Sequence, residues 1–309
     1  MNWLAITIFA YFLLAMEVVL DKFLLSSKRV SHPAIYTFYS ATTGLFALVF
    51  IPFGFHLISY ADVFFRLVGG IIFIYGMLAL FSALNKSEAS RVAPVVGAVV
   101  PMTVFFLSLI FLGDRFTGRE IFGILLLIFG GLLISLDFSS ERDSRFFSGL
   151  KWSVSAGILL AISATIFKGF YNHDNFINVY IWTRIGAFTG ILFFFLVPEW
   201  RKIIWNSLLK FKNPEKEHQT TGALYIISRA MGGLGSILKE KATSFIAASV
   251  TLVNALVSVE YVFVFLMGIG FSLWFPTVFK EKKDIGTAVQ KIVSILIITI
   301  GIVLVFRHK

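Results

Sequence analysis

The run GILLLIFGGLLISL, residues 123–136, carries no charge and is one of many such runs along this chain. Apolar stretches of about 18 to 25 residues have the length a helix needs to cross about 30 Å of hydrocarbon. That feature constrains the fold more than any motif. Inside a bilayer the backbone polar groups must be satisfied within the protein, which leaves helices and closed barrels. A barrel would read as alternating segments of about ten residues, and no such segments occur. The expected fold is therefore all-α, a polytopic integral membrane protein.

Composition agrees. Of the 309 residues 58% are hydrophobic and 14% charged, where a soluble domain carries about a quarter charged. The chain has no Cys, which excludes disulfides, thiolate catalysis and iron–sulfur or zinc–thiolate sites. The formal charge of +10 is read as basic loops facing anionic headgroups. No nucleic-acid motif accompanies it, so no nucleic acid is expected as a partner. The opening MNWLAITIFAYFLLAME lacks the basic region and cleavage site of a signal peptide, and is expected to remain as the first membrane helix.

Ten spans are expected, at 3–25, 33–56, 64–84, 92–112, 119–137, 150–171, 176–197, 221–239, 244–271 and 286–306. Pro33 suits the first position of a helix, where a missing N–H costs little. Between spans seven and eight, Trp200, Ile203, Ile204, Leu208 and Phe211 share one helical face, opposite Arg201, Lys202, Asn206 and Lys210. That pattern predicts an amphipathic interfacial segment over 199–214.

The two halves echo each other. Ala15…Lys22 matches Ala161…Lys168 at an offset of 146, and SALNKSEAS (82–90) matches GSILKEKAT (235–243) at 153. This predicts an internal repeat, residues 1–140 and 146–309. Five spans per copy is odd, so the second copy enters the membrane inverted. Inverted repeats are a common secondary-transporter architecture, with the site near the midplane between the copies.

The segment SEASRVAPVVGAVVPMTVFFLSLIFLGDRFTGREIFGILLLIFGGLLISL (87–136) resembles the EamA branch of the drug/metabolite transporter superfamily. The carriers are Pro94, Pro101, Leu112-Gly113-Asp114, Gly123 and Gly130-Gly131. The family usually has Glu at the Asp114 position. In the second half Asn254 stands where repeat alignment expects Pro, and Met267 where it expects the acid. The resemblance implies ten helices in two five-helix repeats and solute transport, without implying a substrate. It also implies cytoplasmic termini. The positive-inside count argues the reverse, with seventeen Lys and Arg in loops on the face opposite the termini and eight on theirs.

Charges deep in a span cost about 2.5–3.5 kcal/mol each on insertion scales, so they mark candidate sites. Arg184, Arg229, Glu260 and Glu17 are the deepest. The functional reading is a midplane site in which an Arg binds an anionic group and a Glu exchanges protons. The structural reading is a set of Arg–Glu pairs joining helices. The family architecture puts helices 1, 8 and 9 on the cavity and helix 7 at the periphery. That favours a functional Glu17, leaves Arg229 and Glu260 balanced, and makes Arg184 structural. Lys22 and Lys168 are repeat-matched and join the candidates as residues that would bracket a site. Lys86 and Lys239 are matched too, and are read as solvated loop anchors.

No zinc spacing and no HExxH appear, so neither an enzyme nor a cofactor or metal is expected. The functional expectation is a secondary transporter of a small organic metabolite, working by alternating access with proton coupling. A flippase for an anionic lipid-linked headgroup is the alternative, and a non-transporting membrane scaffold ranks below both. The expected partners are a solute and membrane lipids, the expected state a monomer or homodimer, and the expected location a prokaryotic plasma or inner membrane.

Overall fold

The computed structural model describes residues 2–25, 32–87, 89–135, 145–210, 219–274 and 285–306. They form helices α1 (Asn2–Leu25), α2 (Pro33–Gly44), α3 (Tyr60–Lys86), α4 (Ala89–Leu107), α5 (Gly118–Ser135) and α6 (Arg145–Tyr171). The second half adds α7 (Phe176–Leu192), α8 (Pro198–Lys210), α9 (Gln219–Ser244), α10 (Val250–Ala255), α11 (Val257–Trp274) and α12 (Ile285–Phe306). A 3-10 stretch at Leu45–Phe53 continues α2, and one at Phe193–Leu196 continues α7. Among the described residues nine segments are long and apolar enough to cross a membrane. The expected tenth is α9, which carries Arg229, Lys239, Glu240 and Lys241 and falls short on apolarity.

Local chemistry sets many of the boundaries. Pro33 opens α2 under a cap from His32, and Ser59 caps α3. Thr117 and Glu120 form a reciprocal capping box before α5, with Thr117 N donating to Glu120 Oε2 at 2.8 Å. After Pro101, α4 widens into a π turn at Ser108–Leu112 and stops at Gly113. Gly113 sits at φ +70°, a left-handed conformation that glycine adopts without a Cβ penalty.

The span expected at 244–271 differs. A turn occupies 245–249, Ser249 caps α10, and the helix breaks at Leu256 before α11 begins. At the expected Pro position, Asn254 donates from Nδ2 to the Val250 carbonyl at 2.8 Å. A side chain bonded to the i−4 carbonyl loosens a helix much as proline does, which the repeat alignment could not show. Of the expected interfacial segment, α8 covers residues to Lys210, and 211–214 lie outside the described residues. Its apolar face docks on protein, with Ile204 buried and Trp200 edge-on to Phe194 at 4.9 Å. The expected repeat boundary at 140–146 falls largely outside the described residues.

Small residues set the tightest crossings, as in membrane bundles generally. Gly70 of α3 meets Gly186 of α7 backbone to backbone. One core gathers Tyr11, Leu127, Leu252, Leu256 and Ile298 around α1, α5, α10 and α12. Another gathers Ile74, Ile191, Phe194 and Ile204 around α3, α7 and α8. The up-and-down order places the connections 54–59, 113–117, 172–175 and 245–249 on one membrane face with the start of α1. Asp114 meets Ser249 and Gly54 meets Asn175 on that face.

Candidate substrate site in the helix bundle

Helix α9 lies antiparallel along α1. A Cβ on Gly235 would stand 3.0 Å from the Ala10 carbonyl oxygen, and one on Gly232 would fall on the Glu17 carboxylate. The GGLGS stretch is thus a packing surface rather than a phosphate cradle. It seats Glu17 beside Arg229, with Oε1 2.9 Å from Nη1. Their side chains remain 21% and 44% exposed, so two deep charges from facing helices form a pair that still borders open space.

Farther along α9, Lys239 presents its ammonium 5.9 Å from the Tyr11 ring. It lies within electrostatic reach of Glu260 and Glu240. The break between α10 and α11 puts Glu260 in the first turn of α11, and the Tyr11 hydroxyl donates to the Val253 carbonyl at 2.9 Å, tying α1 to that break. Glu260 lies within electrostatic reach of Lys239 and Glu17. Neither Lys239 nor Glu260 closes an ion pair or side-chain hydrogen bond among the described residues.

The other candidates are placed differently. Arg184 is buried, pairs with Glu240 of α9, and lies over the rings of Tyr180 at 4.6 Å and Phe73 at 5.1 Å. Glu240 also accepts from the Tyr171 hydroxyl at 3.0 Å. This knot joins α6, α7 and α9. Lys168, 3% exposed, donates to the carbonyls of Thr243 at 3.1 Å and Phe245 at 2.8 Å, holding the end of α9. It lines a cavity of about 160 Å³ with Asp114, Arg115, Glu120 and Asn172, on the face where α1 starts. Lys22 lies on α1, but its side chain is outside the described residues.

Sequence reasoning missed several of these residues. A span expected at 221–239 ends at Lys239 and leaves Glu240 beyond it, whereas α9 runs to Ser244. Lys239 is no solvated anchor, while its sequence match Lys86 is the exposed last residue of α3. The usable signal was Ser228, Gly232, Gly235 and Ala242, a small-residue stripe that shares a helical face with Lys239. A second missed cluster lies on the face where α1 starts. Asp174 meets Arg66 at 2.8 Å and His56 at 3.5 Å, and accepts from Asn178 at 2.7 Å. Burial raises the Asp174 pKa, but hydrogen bonds from Asn178, Arg66 and the Asn175 N–H outweigh it and hold the carboxyl below its usual range.

Comparison with known proteins bears on this arrangement. Residues 1–136 match the EamA-like transporter family. One crystal structure of a protein aligns with a TM-score of 0.66 over 99% of each chain at 14% identity, a likeness that shows the fold alone. No curated protein matches the chain. Over residues 1–136 the chain resembles EamA-like transporters, and with nine segments fit to cross a bilayer this supports a membrane transporter of the drug/metabolite type.

Proposed function

We propose that this chain is a secondary transporter that moves a small organic metabolite by alternating access, through a site where α1, α9 and α11 meet. The observation that carries the reading is Lys239 and Glu260, within electrostatic reach of one another in the bundle yet forming no ion pair among the described residues, beside the partly exposed Glu17–Arg229 pair. Purely structural charges at such depth would be expected to close on each other, because leaving them apart forgoes the attraction that offsets their desolvation. Arg184, paired with Glu240, and Lys168, bonded to two backbone carbonyls, are assigned to holding helices.

The packing supports two inverted five-helix repeats that rock about this site. α6 lies along α3 as α1 lies along α9, α4 meets α6 as α11 meets α1, and α5 crosses α12. A prokaryotic plasma or inner membrane is part of the same proposal.

The test is a thermal-shift screen of the purified protein against metabolites, since a ligand that binds only the native state raises apparent stability. Hits are then assayed for flux in proteoliposomes. Arg229→Gln is expected to weaken the shift for anionic hits. Flux driven by a pH gradient that survives both Glu17→Gln and Glu260→Gln would remove proton coupling from these residues. Absence of flux for every hit that binds the purified protein would count against transport itself. The flippase reading draws on one observation, the exposure of Ile227 (46%) and Leu234 (53%) on α9 near Arg229. Scrambling of a labelled anionic lipid, with no flux of water-soluble hits, would favour it.

A further inference from the structure

Three cations of the bundle already have their partners. Arg184 has Glu240, Arg229 has Glu17, and Lys168 has two backbone carbonyls. Lys239 has, among the described residues, the face of Tyr11 and two carboxylates that stay apart from it, Glu260 and the Glu240 already paired with Arg184. Lys239 and Glu260 are each partly buried rather than sealed. An acid and a base held apart in a low-dielectric interior can each take another partner.

We propose that Lys239 and Glu260 form an exchange site. One anionic group of the solute replaces Glu260 as counter-ion of Lys239, and Glu260 takes up one proton in return, so that anion and proton bind together. The inference rests on the transporter reading above and adds to it a solute class, a monoanion, and a coupling stoichiometry. Its basis is charge balance. With the site empty, the carboxylate of Glu260 answers the ammonium of Lys239. A second negative charge entering beside an ionised Glu260 would face one cation with two anions, in surroundings where charge is poorly screened. Protonation removes the conflict and forms no covalent bond.

Among the described residues, the titratable groups on the elements packed around Glu260 are few, and α4, whose Ala93 carbonyl accepts from the Tyr261 hydroxyl, carries Arg91 at its start. α1 contributes Tyr11 and Glu17, α9 contributes Lys239, and α11 itself contributes Tyr261. α10 has no titratable side chain, α5 holds only Arg119 and Glu120 at its start, and Lys291 of α12 lies on the Phe265 ring at 4.4 Å. Glu17 is engaged by Arg229. Tyr11 and Tyr261 give the site an aromatic wall, which suits a ring-bearing anion.

Benzenesulfonate is a suitable probe, because it stays ionised and any proton taken up belongs to the protein. Binding to the purified protein in a neutral maltoside detergent is measured by calorimetry in two buffers of different ionisation enthalpy. The expected result is uptake of one proton per anion, with affinity falling about tenfold per pH unit on the alkaline limb. Glu260→Gln, which mimics the protonated acid, should keep binding and lose both the uptake and the pH dependence. Lys239→Gln should lose binding, whereas Lys239→Arg retains it and shows that the fold survives change at this position. Binding without proton uptake, or uptake that persists in Glu260→Gln, would overturn the coupling and leave the transporter reading standing. Absence of benzenesulfonate binding, or preference for benzylammonium, would overturn the anion site. Failure of the transporter reading is seen separately, as absence of flux in proteoliposomes.

Discussion

Glu240→Gln separates a structural from a functional role for Arg184. Arg184 and Glu240 have side chains only 9% and 14% exposed, and the guanidinium otherwise meets aromatic rings. Removing the carboxylate strands a charge that neither water nor lipid can solvate, and breaking a buried pair in this way costs about 3–5 kcal/mol. The glutamine oxygen can still accept one hydrogen bond, from Arg184 or from Tyr171, which returns about 1 kcal/mol. The expected net loss is therefore about 2–4 kcal/mol. It is measured by unfolding in mixed micelles titrated with SDS, after refolding has been shown to reproduce the native signal. The double variant Arg184→Met/Glu240→Met removes both charges and keeps the apolar volume, so it should recover to within about 1 kcal/mol of the parent. It should also retain binding of any ligand found in the metabolite screen. A loss below about 0.5 kcal/mol in Glu240→Gln would refute the stranded-charge argument. A double variant that is stable but no longer binds ligand would refute the structural assignment of Arg184.

Two further predictions concern stability and one concerns pH. Gly70→Ala should destabilise by about 1–3 kcal/mol in the same unfolding assay, because the new methyl would stand 2.8 Å from the Gly186 carbonyl carbon, which is backbone and cannot swing away. Ser249→Ala should cost about 1 kcal/mol, since its hydroxyl both caps Thr251 and donates to Asp114 at 2.9 Å. The carboxyl of Asp174 is held below its usual range, so its contribution is present above that range and is lost as pH falls through the lowered value. Stability measured from neutral pH to below about 4 should fall more steeply for the parent than for Asp174→Asn. Equal slopes would deny Asp174 that part.

Much of the fold was legible residue by residue. Pro33, the Thr117–Glu120 box and Gly113 act on their own neighbourhood, so their effect on helix ends could be read from a few letters. The apolar runs located nine of the spans for the same reason. The eighth and ninth spans were the least well bounded. Charges at 239–241 look like a loop to any hydropathy argument, yet α9 carries them inward because α1, α6 and α7 supply their partners. The break at Leu256, two residues past the Asn254 side-chain bond to the Val250 carbonyl, is not announced by composition.

Depth singled out Glu17, Arg184, Arg229 and Glu260 as costly, but it could not say which charges would meet. Arg229 closes on Glu17, 212 residues away in the chain, and Arg184 on Glu240, whose sequence neighbours look like solvated surface. The sequence by itself determined nine segments apolar enough to enter a bilayer, because transfer of a segment into hydrocarbon is a sum over its own residues. Only the tertiary structure decided which charges are spent on each other and which, as at Lys239 and Glu260, form no ion pair among the described residues. Pairing of charges depends on distance between helices, and that distance is set by the small residues at which they cross.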